Sequence, residues 1–107
     1  MALEITDANL AEVLKEKEVV MVDFWAPWCR PCVALSPVID ELSKDNADKP
    51  NLAIGKINVD ENTGSAASYG IRGVPSIFFF KNGQVIDKIV GSKSKAELQA
   101  KLNTLLS

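Results

Sequence analysis

The segment from Val19 to Trp25 is a near-continuous apolar run, and it restricts the possible folds more than any other part of the chain. A strand with apolar residues at nearly every position is buried on both faces, as parallel strands of α/β proteins are. A sheet built around such a strand needs helices packed on both of its faces. The run therefore predicts an α/β fold with a covered central sheet.

Strand and helix patterns alternate around this run. We predict strands at residues 2–5, 19–25, 52–59, 76–81 and 84–90. Helices are predicted at residues 7–17, after the two cysteines and after Ser94, and a short helix or turn at residues 63–69. Apolar residues at helical spacing identify the helices, and Thr6 or Asp7 is the expected N-cap of the first. The early alternation followed by two adjacent strands predicts a mixed sheet.

Two local motifs fix the C-terminal part of this pattern. Asn82-Gly83 lies between two strand-like segments, which predicts a tight antiparallel hairpin. Ser94 and Glu97 have the spacing of a capping box, so they predict the start of the last helix.

Length and charge exclude several classes of protein. The 107 residues suit one domain, residues 1–107, without a linker or repeat. A net charge of -2 gives no basic surface for nucleic acid, and no apolar run approaches the roughly 20 residues that span a membrane. The N-terminus lacks the basic start and apolar stretch of a secretory signal, so we expect a cytoplasmic protein. Nothing in the sequence demands more than a monomer.

Cys29 and Cys32 are the only cysteines, and two residues separate them. Thiols at this spacing can close into a small ring and alternate between dithiol and disulfide. A zinc site is the competing interpretation, but it needs four ligands, and the chain has no histidine and no third cysteine. Only a metal shared between two chains would remain, so we expect no metal here and favour redox chemistry.

The predicted helix gives the two thiols different properties. Cys29 lies at the helix start, where unpaired N–H groups and the helix dipole favour a thiolate, the form that attacks disulfides. Cys32 lies one turn further along on the inner face, where it suits the resolving role. Pro31 fits the first turn because its missing N–H would have no helical partner there.

Five sequence blocks then resemble thioredoxin, in the same order along the whole chain. They are residues 22–29 (Val-Asp-Phe-Trp-Ala-Pro-Trp-Cys), 56–60 (Lys-Ile-Asn-Val-Asp), 69–75 (Tyr-Gly-Ile-Arg-Gly-Val-Pro), 80–83 (Phe-Lys-Asn-Gly) and 90–91 (Val-Gly). The resemblance implies a thioredoxin fold, a central mixed β-sheet flanked by helices on both faces. It also implies a general protein disulfide reductase that takes part in redox homeostasis. Such a protein binds no cofactor, acts on disulfide-containing proteins, and is itself reduced by an NADPH-dependent thioredoxin reductase.

The resemblance also assigns roles to two charged residues within apolar strands. It makes Asp23 the buried group that accepts the proton of Cys32, with a pKa raised by desolvation. Without the resemblance, a strand-end carboxylate turned to water is the simpler interpretation. Lys56 becomes the electrostatic partner of Asp23, against the alternative of a surface lysine with a partly buried stem.

The remaining implied residues form a substrate groove opposite the cysteines. Pro75 is expected to follow a cis peptide bond, although most X-Pro bonds are trans. The backbone of Val74 would pair with an extended substrate segment. Trp28, Gly73 and Gly91 would complete the rim, the glycines allowing close approach of the backbone.

Arg30 departs from the common Cys-Gly-Pro-Cys pattern of the family. It is either an ordinary exposed side chain or a fixed positive charge that stabilises the neighbouring thiolate and makes the pair slightly more oxidising. Two other functions stay open at this point: a disulfide oxidase or isomerase of an oxidising compartment, and a binding module that uses the fold without turnover.

Overall fold

The computed structural model describes residues 1–107 and contains five strands and four helices in the predicted order. Their bounds are β1 (Leu3–Glu4), α1 (Leu10–Glu16), β2 (Val19–Trp25), α2 (Arg30–Asp45), β3 (Leu52–Asn58), α3 (Thr63–Ser68), β4 (Ser76–Lys81), β5 (Gln84–Val90) and α4 (Lys95–Leu106). None of these helices is both long enough and apolar enough to cross a membrane.

The strands form one sheet in the order β1-β3-β2-β4-β5, which leaves the apolar strand β2 at its centre. β1 and β2 pair with β3 in parallel, whereas β4 pairs with β2 and β5 in antiparallel fashion. In this register Asp23 of β2 lies between Lys56 of β3 and Ile77 of β4. Directly opposed residues share a face of the sheet, so these three side chains lie on the same side.

Each face of the sheet carries its own apolar core, because successive side chains of a strand alternate between the faces. Val19 and Met21 pack with residues of α2 and α4, whereas Val20, Val22 and Phe24 pack with residues of α1 and its surroundings. Both faces are therefore covered by helices. The predicted mixed sheet with helices on both faces is confirmed.

Both C-terminal motifs are present as predicted. Asn82 and Gly83 have positive φ angles of 53° and 81°, as a two-residue turn between antiparallel strands requires. Ser94 caps α4 by accepting a hydrogen bond from the N–H of Glu97, whose carboxylate accepts from the N–H of Ser94.

The start of the first helix was predicted wrongly. Helix α1 begins at Leu10, not near Asp7, and its N-cap is Asn9. Thr6 instead closes a preceding turn, in which its hydroxyl accepts hydrogen bonds from the N–H groups of Ala8 and Asn9. Asp7 turns away from α1 altogether, and its carboxylate accepts hydrogen bonds from Gly64 and Ser65 at the start of α3. Propensity identifies these capping residues but not which helix they cap.

Candidate active site

The two cysteines lie where β2 gives way to α2. Cys29 is the N-cap of α2, and its sulfur accepts a hydrogen bond of 3.2 Å from the N–H of Cys32. Pro31 lies in the first helical turn, where an N–H is not needed for helix bonding. The two sulfurs are joined as a disulfide, with the Cα atoms 5.2 Å apart. The loop after β2 and the start of α2 thus hold both sulfurs within bonding distance of each other.

Exposure separates the two sulfurs as the sequence predicts. Cys29 is 6% exposed, whereas Cys32 is fully buried in α2. An incoming group can therefore reach the disulfide only from the side of Cys29. The N–H of Cys32 donates to the Cys29 sulfur, and the start of α2 favours a thiolate there once the bond is reduced.

Asp23 is completely buried on the sheet face that α2 covers, and neither of its carboxylate oxygens has a hydrogen-bond partner. Desolvation raises the pKa of this carboxyl from its ordinary value of 3.8 to about 7, although the positive charge of Lys56 opposes the increase. The alternative of a carboxylate turned to water is therefore wrong. A buried group that titrates near neutral pH is suited to accepting and releasing a proton.

Lys56 lies opposite Asp23 in the sheet, and its positive charge acts on the pKa of that carboxyl, but the two side chains share no hydrogen bond. Its ammonium donates a hydrogen bond of 2.7 Å to the hydroxyl of Ser36 and forms an ion pair of 3.1 Å with Asp40. Both partners belong to α2. Lys56 therefore acts on Asp23 only through space. The alternative of a surface lysine whose stem is partly buried and whose ammonium is free in solvent is wrong, because α2 binds the ammonium.

A second loop approaches the cysteines from across the sheet. The Val74–Pro75 peptide bond is cis, as the resemblance implies, and the carbonyl oxygen of Val74 lies 3.6 Å from Cys29 Sγ. Pro75 is buried and Val74 is half-buried. The N–H of Gly91 donates to the carbonyl oxygen of Pro75, which ties the end of β5 to this loop.

The residues around Cys29 form an apolar surface rather than a closed cavity. Trp28 is 69% exposed, and its indole N–H donates to Asp60 at 3.3 Å. Gly91 has a φ of 102°, a backbone conformation that other residues rarely adopt. A cavity of about 840 Å³ lies elsewhere, between α1, α3 and the β4–β5 turn.

Sequence reasoning missed one apolar residue of this surface and one polar one. Val90 is 73% exposed, and its side chain lies 3.7 Å from the position that a Cβ atom on Gly73 would occupy. The sequence alone does not show that this valine is exposed, because its exposure depends on β5 lying at the edge of the sheet. Asp60, the acceptor for Trp28, is an ordinary loop aspartate in the sequence.

Arg30 is the first residue of α2, is exposed, and makes no side-chain hydrogen bond or ion pair. No group of three or more histidine, cysteine, aspartate or glutamate side chains is placed to hold a metal ion.

Comparison with known proteins agrees with this geometry. The family model described as Thioredoxin matches residues 1–104. The chain belongs to the thioredoxin family. It is 46% identical to Thioredoxin 2 of Chlorobaculum tepidum over 94% of this chain and 91% of that one. It is also 45% identical to a chloroplastic M-type thioredoxin of Spinacia oleracea over 97% of this chain, which spans only 57% of the spinach protein.

The fold agrees with solved thioredoxin structures too. A mutant thioredoxin from Halobacterium salinarum superposes with a TM-score of 0.87 at 34% identity, covering 99% of this chain and 91% of that one. Thioredoxin-family proteins are protein-disulfide oxidoreductases without a prosthetic group, and this chain carries the cysteine pair that their chemistry uses. The protein is a thiol–disulfide oxidoreductase.

Proposed function

We propose that the protein is a general protein disulfide reductase in which Cys29 attacks, Cys32 resolves and Asp23 accepts the proton of Cys32. The observation that carries this proposal is the difference in access among the three groups. Cys29 keeps 6% of its surface exposed, whereas Cys32 and the unpartnered carboxyl of Asp23 are fully buried. The group that solvent and substrate can reach is thus the one that acts first.

The reaction has two steps. The Cys29 thiolate attacks one sulfur of a substrate disulfide, a Cys29–substrate bond forms, and the other substrate sulfur leaves as a thiolate that takes a proton from water. Cys32 then gives its proton to Asp23 and attacks Cys29 Sγ. The second substrate sulfur leaves with its bonding electrons and is protonated. The substrate gains two electrons and two protons, and the cysteine pair becomes the disulfide.

Substrate binding is proposed to use the apolar surface around Cys29. An extended substrate segment would pair with the backbone of Val74 beside the cis peptide bond of Pro75. Trp28, Gly73 and Gly91 would contact its flanks, and Val90 extends the same surface. Binding that relies mainly on backbone pairing and apolar contact supports broad rather than narrow specificity.

The cellular setting belongs to this proposal as well. We infer reduction of the Cys29–Cys32 disulfide by an NADPH-dependent thioredoxin reductase, disulfide-containing proteins as substrates, and a monomer in the cytoplasm that serves redox homeostasis. One of the relatives is a chloroplastic protein, so cell fractionation is the direct test of the compartment.

Reduction of insulin, followed by turbidity in the presence of NADPH and a thioredoxin reductase, tests the proposal. We expect turnover by the native protein and none by Cys29→Ser. Cys32→Ser should instead accumulate a mixed disulfide with substrate, visible by mass spectrometry, because it can attack but not resolve. A native protein without turnover would contradict a reductase and favour a binding module. Trapping by Cys29→Ser instead of Cys32→Ser would reverse the assigned roles.

A further inference from the structure

The position of the Lys56 ammonium, away from the Asp23 carboxyl, is unexpected. Lys56 and Asp23 are directly opposed in neighbouring parallel strands, and a lysine side chain is long and flexible. A buried carboxylate without any hydrogen bond is the natural partner of such a cation. Lys56 nevertheless pairs with α2 instead. Side chains on α2 must therefore bind the Lys56 ammonium in preference to Asp23.

Two α2 side chains form this competing site. Ser36 and Asp40 are four residues apart, so they lie on one face of the helix, above the sheet. Ser36 accepts a hydrogen bond of 2.7 Å from the Lys56 ammonium, and Asp40 Oδ1 lies 3.1 Å from it. Side-chain exposures of 19% for Lys56 and 29% for Asp40 make this a partly buried pair, less screened than a surface ion pair.

The N-terminal segment holds the carboxylate of Asp40 from the other side. The N–H of Ala2 donates a hydrogen bond of 3.0 Å to the same Oδ1 atom that faces Lys56. Partial burial opposes ionisation of Asp40, but the Ala2 N–H, Lys56 and the chain's amino terminus together lower the pKa of this carboxyl. Asp40 is thus a fixed anion at neutral pH, with two donors holding it in place.

We propose that Asp40, assisted by Ser36, is a positioning residue that holds the Lys56 ammonium on α2 and so leaves Asp23 free to exchange a proton with Cys32. The proposal rests on the proposed role of Asp23 in resolution. If Lys56 bound Asp23 directly, the cation would favour the charged carboxylate and weaken it as a proton acceptor. With Lys56 held by α2, desolvation dominates at Asp23.

Few other charged groups near Asp23 could change the pKa of its carboxyl. β3 contributes Lys56, and β4 contributes the apolar Ile77 opposite Asp23. α2 contributes Asp40 and the Cys32 sulfur, which does not titrate while it is in the disulfide. Lys56 is the only charged group with an evident effect on the pKa of Asp23. The position of this one ammonium therefore affects the pKa of the Asp23 carboxyl.

The test is the titration of the Asp23 carboxyl by carbon-13 NMR in the oxidised protein, in which neither cysteine titrates. Asp23→Asn assigns the signal. We expect Asp40→Asn to lower the Asp23 midpoint by about 1 pH unit, because the released ammonium moves to Asp23. Ser36→Ala, which keeps the ion pair, should lower it less. Asp45→Asn is the matched control, since Asp45 lies on the same helix but pairs with Lys95, and it should leave the midpoint unchanged.

A second background separates capture of Lys56 from the simple loss of a negative charge. In a Lys56→Met protein, Asp40→Asn should lower the Asp23 midpoint by much less than in the native background. A decrease of equal size in both backgrounds, or no decrease in the native one, overturns the proposal. Ser36→Ala provides the same comparison if Asp40→Asn fails to fold.

The kinetics distinguish this inference from the function on which it rests. Stopped-flow release of thionitrobenzoate from its mixed disulfide with Cys29 reports the resolution step. The acid side of its pH–rate profile should move to lower pH in Asp40→Asn by the same amount as the Asp23 midpoint. If the midpoint moves and the profile does not, Asp40 still positions Lys56, but Asp23 is not the proton acceptor for Cys32.

Discussion

At the scale of single residues, Asp23 is a buried carboxyl that opposes folding at high pH. Its pKa rises from 3.8 to about 7 on burial, so the folded state binds a proton that the unfolded state has released between these values. The contribution of this residue to the free energy of unfolding is fully present below about pH 4 and is lost as the pH rises through 7. The difference corresponds to roughly 4 kcal/mol at most.

We therefore expect Asp23→Asn to be more stable, relative to the native protein, at pH 8 than at pH 4. Removing the ionisable group removes its unfavourable charged form, and any cost of the buried amide is common to both pH values. Urea unfolding of both oxidised proteins at the two pH values measures the difference. Asp48→Asn, at an exposed residue without hydrogen bonds, should keep the native pH dependence. An Asp23→Asn protein that also keeps it would contradict a raised pKa.

Arg30 is predicted to make the cysteine pair more oxidising. Its positive charge at the start of α2 stabilises the Cys29 thiolate of the reduced form, but solvent screens an exposed side chain. We expect the midpoint potential of Arg30→Gly to be roughly 10–30 mV lower than that of the native protein. Equilibration with glutathione buffers measures it.

The control for Arg30 is Arg30→Lys, which keeps the charge and should keep the midpoint near the native value. The difference between native and glycine proteins should also shrink at high ionic strength. Equal midpoints at low salt would show that Arg30 is only an ordinary exposed residue.

At the scale of elements, the sequence predicted those whose signals are local. The hairpin at Asn82-Gly83 and the capping box of α4 depend on residues a few positions apart, and both are confirmed. The start of α1 was predicted wrongly because Asp7 caps α3, more than fifty residues away. A helix cap donated across the fold leaves no local pattern in the sequence.

The same reasoning explains which parts of the site were predictable. The different exposures of Cys29 and Cys32 follow from their places at the start of one helix. The cis bond before Pro75 came from the family resemblance alone. The Lys56–Asp40 pair was missed because several carboxylates lie within reach of a lysine side chain, and packing of α2 on β3 selects among them.

The capping box of α4 gives a prediction at this scale. Ser94→Ala removes the hydroxyl that accepts from the Glu97 N–H, and the loss of such a cap costs about 1 kcal/mol. We expect the thermal midpoint to decrease by roughly 4 °C. Differential scanning calorimetry measures the change, with Ser92→Ala as the control because Ser92 is exposed and makes no hydrogen bond. Equal midpoints for both variants would mean that α4 is held by packing alone.

At the scale of the whole molecule, one sheet separates two apolar cores that are predicted to unfold together. Phe79 and Phe80 are neighbours in β4, yet they belong to the cores on opposite faces. Both are almost fully buried. Since the same strands support both cores, damage to either should destabilise the entire fold.

We expect Phe79→Ala and Phe80→Ala each to lower the free energy of unfolding by about 3–5 kcal/mol. Urea unfolding followed by circular dichroism and by fluorescence of Trp25 and Trp28 should give one coincident transition for each variant. Phe78→Leu, a smaller change in the same strand, should cost less. Separate transitions in either variant would show that the two faces fold independently.

The Asp7 carboxylate accepts hydrogen bonds from the N–H groups of Gly64 and Ser65. Helix α3 therefore depends on a loop close to the N-terminus of the chain. Hydrogen bonds with Ser65, and with Gly64, lower the pKa of Asp7. The stabilising contribution of this carboxylate is therefore fully present above its ordinary pKa and is lost as the pH falls through the lowered pKa. The protection factors of the α3 amides, corrected for the intrinsic exchange rate at each pH, should therefore decrease first as the solution becomes acidic. Since α3 leads into the loop that carries Val74 and Pro75, acid would release the groove from one side while the cysteine pair remains anchored by α2.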